Sequence, residues 1–337
     1  MEGSGVLTNR GRRALKGAFF ALLLAIPLLA PALPTSEAHA ARKGDRAEER
    51  VLYTKNSLYQ YLVVADDLQK QERYIYNSKR DYMQGGTSLK HPDALLFEYT
   101  RLSFIALAFL DRTPKKVLFV GLGAGSMPRW FHRYYPQAKV DVVEIDPEIF
   151  KIAKKYFSFR EDERMKVHIM DGRRFIKRSR EKYDMVFLDA YQTDYIPFHL
   201  TTVEFLKEVR RILADDGVVA SNIVSERRNK YFYAMIKTYV EVFPHLYIYK
   251  ALHSENNIFI APAYGKKKKP EDIRARARQL EGEKSFDFDL PSLNDYYGYY
   301  TFFKMPPDTP LLTDDFAPVN LYRYMGVEEN KGGRKAR

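Results

Sequence analysis

The sequence predicts an α/β protein: a doubly wound, Rossmann-like sheet of mainly parallel strands, preceded by a small N-terminal β-sheet domain. Three observations carry this. An apolar strand over residues 117–120 runs directly into Gly121, Gly123 and Gly125, and a second over 140–143 ends on Glu144. Strand and helix patterns then alternate through residue 224, and such βα units fold as a parallel sheet covered on both faces by helices. Ahead of them, residues 51–90 alternate as half-buried strands do, with Tyr59, Tyr61 and Val63 on one face and Tyr74 and Tyr76 on another.

The first 40 residues differ in kind from the rest. Arg10, Arg12, Arg13 and Lys16 precede an apolar stretch over 18–33, and Ala38-His39-Ala40 is a small-x-small cleavage pattern. These are the parts of a secretory signal, and the paired arginines hint at a twin-arginine leader, which exports folded proteins. Pro27 and Pro31 interrupt the apolar stretch, which is short for a membrane span. An uncleaved anchor, attaching the chain to a membrane, is the alternative. A charged linker over 41–50 follows, then the strands of a domain spanning 51–92.

Residues 93–265 form the expected catalytic domain. An apolar helix is expected over 93–110. After the glycines, Met127, Trp130, Phe131 and Tyr134 recur at i, i+3, i+4, i+7, so they share a helix face turned to the sheet. Ile149, Ile152, Ala153 and Tyr156 do the same in the next helix. Further strands are expected at 167–170, 185–188 and 218–222. Thr201 with Glu204 three residues on is a capping-box pattern, opening a helix whose Phe205, Val209 and Ile212 share one face. Strands at 246–249 and 257–261 are expected to close the sheet as an antiparallel pair. Residues 266–337 read as an extension with a basic tail.

Composition narrows the chemistry. The chain has 337 residues and no cysteine, which excludes disulfides, thiolate metal sites and a cysteine nucleophile. Its seven histidines show no close pairing, so no metal is expected. The net charge of +12 is spread out, with runs at 266–269 and near the C-terminus. Solvated loops account for such runs, and no nucleic-acid partner is expected.

In a doubly wound sheet the ligand lies at the carboxyl ends of the strands. Three successive strands of this chain end on carboxylates: Glu144 and Asp146, then Asp171-Gly172, then Asp189-Ala190. Glycines let the backbone approach a ligand, and an acidic tip on the second strand accepts hydrogen bonds from a ribose diol. An adenosine-containing cofactor is therefore expected. A dinucleotide fingerprint wants its third glycine where this chain has Ser126. Here that glycine comes one residue early, and G-x-G-x-G with an acidic strand end looks like the class I S-adenosylmethionine-dependent methyltransferase fold.

The segment 188–200, LDAYQTDYIPFHL, decides a family. Together with the glycine loop, Val143-Glu144-Ile145-Asp146-Pro147, Asp171-Gly172-Arg173 and the C-terminal LTDDFAPV at 312–319, it resembles the spermidine synthases, or polyamine aminopropyltransferases. The nearest likeness is to a bacterial branch often fused to membrane transporter segments, over roughly residues 55–320. The resemblance implies that Gly121, Gly123 and Gly125 hold the amino-acid end of decarboxylated S-adenosylmethionine or S-adenosylmethionine. It implies Glu144 on the ribose, Asp171 on the adenine amino group and Asp189 as the catalytic base. Gln84 and Tyr99 would line the substrate side, and Tyr191 or Asp194 would orient the amine. The product would be a longer polyamine plus methylthioadenosine. Homo-oligomers are common in the family.

Two positions depart from that pattern. Ala124 stands where the family usually carries an acidic residue, which suits a decarboxylated cofactor whose tail is a bare ammonium. The family's paired aspartates, three apart, are here Asp189 and Asp194, five apart. Aminopropyl transfer is the first reading. A methyltransferase on the same fold is the second, and an exported, non-catalytic nucleoside- or polyamine-binding protein is the third. An exported domain needs a supply of a nucleoside made in the cytoplasm, or must leave already loaded. A mistaken start site would make the protein cytoplasmic.

Overall fold

The computed structural model describes residues 48–77, 83–190, 197–297 and 305–316. Residues 1–40, expected to be a signal or anchor, most of the charged linker, Tyr191, Asp194 and the tail beyond 316 lie outside the described residues.

Four antiparallel strands form the first sheet, in chain order: β1 (Glu49–Asn56), β2 (Tyr61–Asp67), β3 (Glu72–Tyr76) and β4 (Met83–Ser88). Tyr59 is not on a strand but in the β1–β2 turn, where Ser57 Oγ accepts the Tyr59 and Gln60 N–H groups. In β2 the burial is continuous rather than alternating, with Leu62, Val63, Val64 and Ala65 all at 2% exposure or less. This sheet is therefore covered on both faces. Part of the cover is the second layer: Tyr53 Oη donates to Glu148 Oε1 at 2.8 Å and Arg73 Nη1 to the Tyr156 carbonyl at 2.9 Å.

The apolar segment expected as one helix over 93–110 divides. Helix α1 covers only Glu98–Ser103, and Phe104–Phe109 tightens into a 3₁₀ helix with all six residues buried. It starts late because the Arg101 guanidinium takes the carbonyls of Leu95 and Leu96, which fixes the approach as a loop.

The main sheet then builds in alternation: β5 (Lys116–Val120), α2 (Ser126–Tyr134), β6 (Lys139–Glu144), α3 (Pro147–Tyr156), β7 (Met165–Ile169), α4 (Gly172–Arg178), β8 (Tyr183–Leu188), α5 (Val203–Ile212), β9 (Leu213–Val224), α6 (Phe232–Val242), β10 (Tyr247–Lys250), β11 (Asn256–Pro262) and α7 (Pro270–Lys284). Across the sheet the order is β10-β11-β9-β8-β5-β6-β7. Neighbours from β9 to β7 run parallel, and β11 and β10 are antiparallel, as the sequence predicts. The chain moves outward from β5 to β7, then returns to place β8 on the other side of β5. A crevice opens at the carboxyl ends of strands where the winding reverses in this way.

Two apolar layers hold the sheet. Trp130 and Phe131 of α2, Ile149 and Ile152 of α3, the 3₁₀ segment and Ile273, Ala277 and Leu280 of α7 pack on one face. Ile176 of α4, Phe205, Val209 and Ile212 of α5 and Met235 and Tyr239 of α6 pack on the other. Helix α7 follows residue 266 in the chain yet belongs to this core. The capping box is shifted by one residue. Thr202 is the N-cap of α5 and accepts the Phe205 N–H, while Glu204 accepts the Asp314 N–H instead of closing the box.

Candidate active site

The carboxyl ends of β5, β6 and β8, the start of α4, the 3₁₀ turn Phe198–Leu200 and the edge of the N-terminal sheet surround one cleft. Gln84, Gly121, Gly123, Glu144, Asp171, Gly172 and Asp189 all line it. Seven of the sequence-predicted residues thus converge from five segments of chain.

The loop after β5 is built on a left-handed glycine. Gly121 has φ +105°, and a Cβ there would collide with the Asp189 carbonyl. Only glycine lets the ends of β5 and β8 come this close. Gly125, also left-handed at φ +72°, is set behind the cleft as the N-cap of α2, packed on the Phe159 ring. Ala124 is buried at 3% exposure. Above it lies Gly85 of β4, whose missing Cβ would fall 2.7 Å from Ala124 N and 2.9 Å from Ala124 Cβ. Position 124 therefore packs against the N-terminal sheet, and its side chain does not line the cleft.

Glu144 is held from two sides. Its Oε2 accepts the Leu122 N–H of the glycine loop at 3.0 Å, and its Oε1 accepts the Asp146 N–H at 2.9 Å. Burial pushes its carboxyl above the ordinary range, and the two N–H donors oppose that. Each oxygen has accepting capacity beyond these bonds, and Glu144 lines the cleft, which suits a diol.

Asp146 is not among the described residues that line the cleft. It is 2% exposed and caps α3, with Oδ1 accepting the Glu148 N–H at 2.9 Å. Pro147 and Glu148 after it are the local signature of that cap, which uses one carboxylate oxygen and leaves Oδ2 buried without a hydrogen-bond partner among the described residues. Asp171 also caps its helix, α4, with Oδ1 taking the Arg174 N–H at 2.8 Å, but its Oδ2 faces His199 Nε2 at 2.8 Å on the cleft wall. The His199 hydrogen bond holds its carboxyl below the usual range.

Asp189 sits where β8 meets the glycine loop. Its Oδ1 accepts from Asn222 Nδ2 at 2.9 Å and its Oδ2 from Tyr99 Oη at 3.3 Å. Burial lifts its carboxyl to about 6, against the pull of the two donors. Among the described cleft carboxylates it combines a raised pKa with two hydrogen bonds from neutral side chains, the environment of a general base.

Four contributors were not foreseen. Gln60, from the turn before β2, accepts a hydrogen bond from Gln84, so the substrate side carries an amide pair. Asn222 occupies the carboxyl end of β9, a position the strand-end rule could have marked. His199 lies within the segment that suggested the family. Arg173 is 7% exposed and uses all five of its N–H donors: two pairs go to Glu208 and Asp314 at 2.7–3.0 Å, and Nη1 also reaches the His199 carbonyl at 3.1 Å. Asp314 belongs to the C-terminal LTDD motif, so this motif ties the cleft wall to α4 and α5. Among the described residues no group of three or more His, Cys, Asp or Glu is arranged to hold a metal ion. No described helix is long and apolar enough to cross a membrane.

Comparison with known proteins identifies the family. Residues 98–255 match the spermine/spermidine synthase domain. A polyamine aminopropyltransferase of Vibrio vulnificus is 30% identical over 285 residues, which cover 82% of this chain and 92% of that protein. The chain belongs to the polyamine aminopropyltransferase family. A probable spermidine synthase from Corynebacterium glutamicum shares the fold, with TM-score 0.57 and 21% identity over 76% of this chain and all of that one. Human Methyltransferase-like protein 13 in complex with SAH matches at TM-score 0.51 and 27% identity, over 57% of this chain and 94% of that one. The family's Rossmann-like methyltransferase fold with its small N-terminal sheet is the architecture described above.

Proposed function

We propose that this enzyme transfers an aminopropyl group from decarboxylated S-adenosylmethionine to a di- or polyamine such as putrescine, with release of methylthioadenosine. The observation that carries the reading is Asp189: a carboxylate raised to about 6, at the cleft end of β8, beside the left-handed glycine loop.

The residues fit a nucleoside donor. Glu144 offers a carboxylate already oriented by backbone N–H groups, Asp171 faces the cleft from the start of α4, and Gly121 and Gly123 line it with backbone alone. When bound, the donor supplies a sulfonium whose neighbouring carbon is open to displacement. An alkylammonium has a pKa of about 10 by analogy with Lys, so the acceptor must lose a proton before it attacks. Asp189 attracts the ammonium by charge and accepts that proton. Its raised pKa narrows the gap to the amine, and desolvation of the ammonium in the same cleft lowers the amine's own pKa and narrows it further. Tyr99 and Asn222 hold the carboxylate while the proton moves. The Gln60–Gln84 amides offer neutral hydrogen bonds at the substrate side. Tyr191 and Asp194 are proposed to orient the amine.

A methyltransferase reading of the same cleft rests on the likeness to the SAH-bound human protein. Ala124 supports it less than the sequence suggests, because its side chain packs under β4. One experiment separates the two. The full chain is incubated with S-adenosylmethionine or its decarboxylated form and a panel of amines, and nucleoside products are identified by mass spectrometry. Methylthioadenosine with an extended amine supports aminopropyl transfer; S-adenosylhomocysteine means methyl transfer. Neither product, with nucleoside still bound, would favour a binding protein. We further propose that the leader directs export.

A further inference from the structure

We propose that Asn256 is a positioning residue for the catalytic carboxylate: it holds the Asn222 amide so that its N–H, and not its carbonyl, faces Asp189. The inference rests on reading Asp189 as the base.

The geometry is a three-membered relay across three neighbouring strands. Asn256, the first residue of β11, donates from Nδ2 to Asn222 Oδ1 at 2.8 Å, and Asn222 donates from its own Nδ2 to Asp189 Oδ1 at 2.9 Å. An ionised carboxylate only accepts, so the useful face of Asn222 is its NH₂. A primary amide can rotate by half a turn at little steric cost, and it would then present a carbonyl to Asp189. That flipped state repels the carboxylate and is satisfied only if Asp189 is protonated. With the Asn256 amide in its observed orientation, its N–H binds Asn222 Oδ1 in the working rotamer and loses that acceptor when Asn222 alone flips. Asn256 thus favours the rotamer in which Asp189 is anionic, while never touching it.

The backbone fixes this arrangement. β11 runs antiparallel to β9, with Asn256 opposite Val224 and Ile258 opposite Asn222, so the two side chains meet on the diagonal at the mouth of the cleft. The opposing force is also present, because burial pushes Asp189 toward protonation. Other polar groups facing this carboxylate or its cleft are Tyr99 from α1, Glu144 from β6, Asp171 and His199. Glu255, beside Asn256, is engaged with Ser225 Oγ at 2.5 Å and lies 3.9 Å from Arg227.

The test uses the full chain and two readouts. Infrared difference titration follows the protonated-carboxyl stretch of Asp189, assigned by its loss in Asp189→Asn, and requires no turnover. The acid limb of the pH–rate profile follows the same group in catalysis. Asn256→Ala is expected to raise both midpoints by about one pH unit, a tenfold change in the ionisation constant. Asn256→Asp keeps the shape, supplies an acceptor in place of the donor, and is expected to raise them further. In a double-mutant cycle, Asn256→Ala is expected to add nothing once Asn222→Ala is present. Unmoved midpoints in both Asn256 variants, or shifts that add in the double variant, overturn the relay. If no amine is alkylated but the infrared midpoint moves as expected, the functional reading fails and the relay stands.

Discussion

Asp189 gathers two opposed requirements in one side chain. A base must be ionised at working pH, yet its surroundings favour the neutral form. Replacement by Asn keeps the shape and removes the charge, and turnover is expected to fall by at least about 100-fold while affinity for methylthioadenosine stays unchanged in calorimetry. Unaltered turnover would remove Asp189 from the mechanism. The same substitution is expected to stabilise the fold. A carboxyl whose pKa rises from 3.8 unfolded to about 6 folded binds more protons in the native state, so stability declines as pH rises across that window and levels off above it. At pH 8 the burden is about 3 kcal/mol, the product of the shift and the cost per unit. Asp189→Asn should therefore melt higher than the parent at pH 8, and the gain should vanish by about pH 4. An equal gain at both pH values would contradict this account. Glu144→Ala is expected to weaken nucleoside binding at least tenfold, since it deletes the acceptor that the Leu122 and Asp146 N–H groups aim into the cleft. Unchanged affinity would place the ribose elsewhere.

At the scale of elements, the contact between β4 and the glycine loop decides how the two layers meet. Gly85→Ala puts a methyl 2.7 Å from the Ala124 nitrogen, a backbone atom that cannot turn aside. Overpacking of this kind costs about 1–3 kcal/mol, and here the strain falls on the loop that lines the cleft. A lower melting temperature together with weaker nucleoside binding is expected; loss of stability alone would mean that the loop does not yield. Ala124→Asp meets the same obstacle, with a charge added. The βα units were legible in the sequence because each carries its own period and because glycines and carboxylates mark the strand ends. The late start of α1 was not, because it depends on Arg101 taking two carbonyls that a longer helix would have used. The cap formed by Asp146 was not foreseen, although a strand-end carboxylate before Pro is equally a helix-cap pattern. Asn222 with Asn256, and Gln60 with Gln84, become pairs only after the strands are laid side by side.

For the whole molecule, the described residues form a cleft whose floor comes from the middle of the chain and whose far wall is secured from near its end. Arg173 joins the two. Asp314→Ala leaves a buried guanidinium with Glu208 and the His199 carbonyl but without its second carboxylate. Breaking such a pair costs about 3–5 kcal/mol when it is fully buried, and less here because the Asp314 side chain is 42% exposed. A fall in melting temperature with a rise in KM for the nucleoside donor is expected, since the same guanidinium holds the turn that brings His199 to Asp171. Full donor affinity in that variant would limit the LTDD motif to stability. The proposed export through residues 1–40 has a separate test: fractionation of the source cells should recover the chain outside the cytoplasm, and a cytoplasmic chain retaining residues 1–40 would reject export.

The ion pair between Arg173 and Asp314 also sets an order in time. The two residues are 141 positions apart. At a synthesis rate of about 5–20 residues per second, roughly 7–30 s separate their emergence. The glycine loop, Glu144 and the relay around Asp189 are all translated before residue 314, so a nascent chain acquires its floor and its base before its far wall can be secured. Until the LTDD segment arrives, Glu208 holds the guanidinium without its second carboxylate. Completion of the cleft thereby becomes a late event in the birth of the protein.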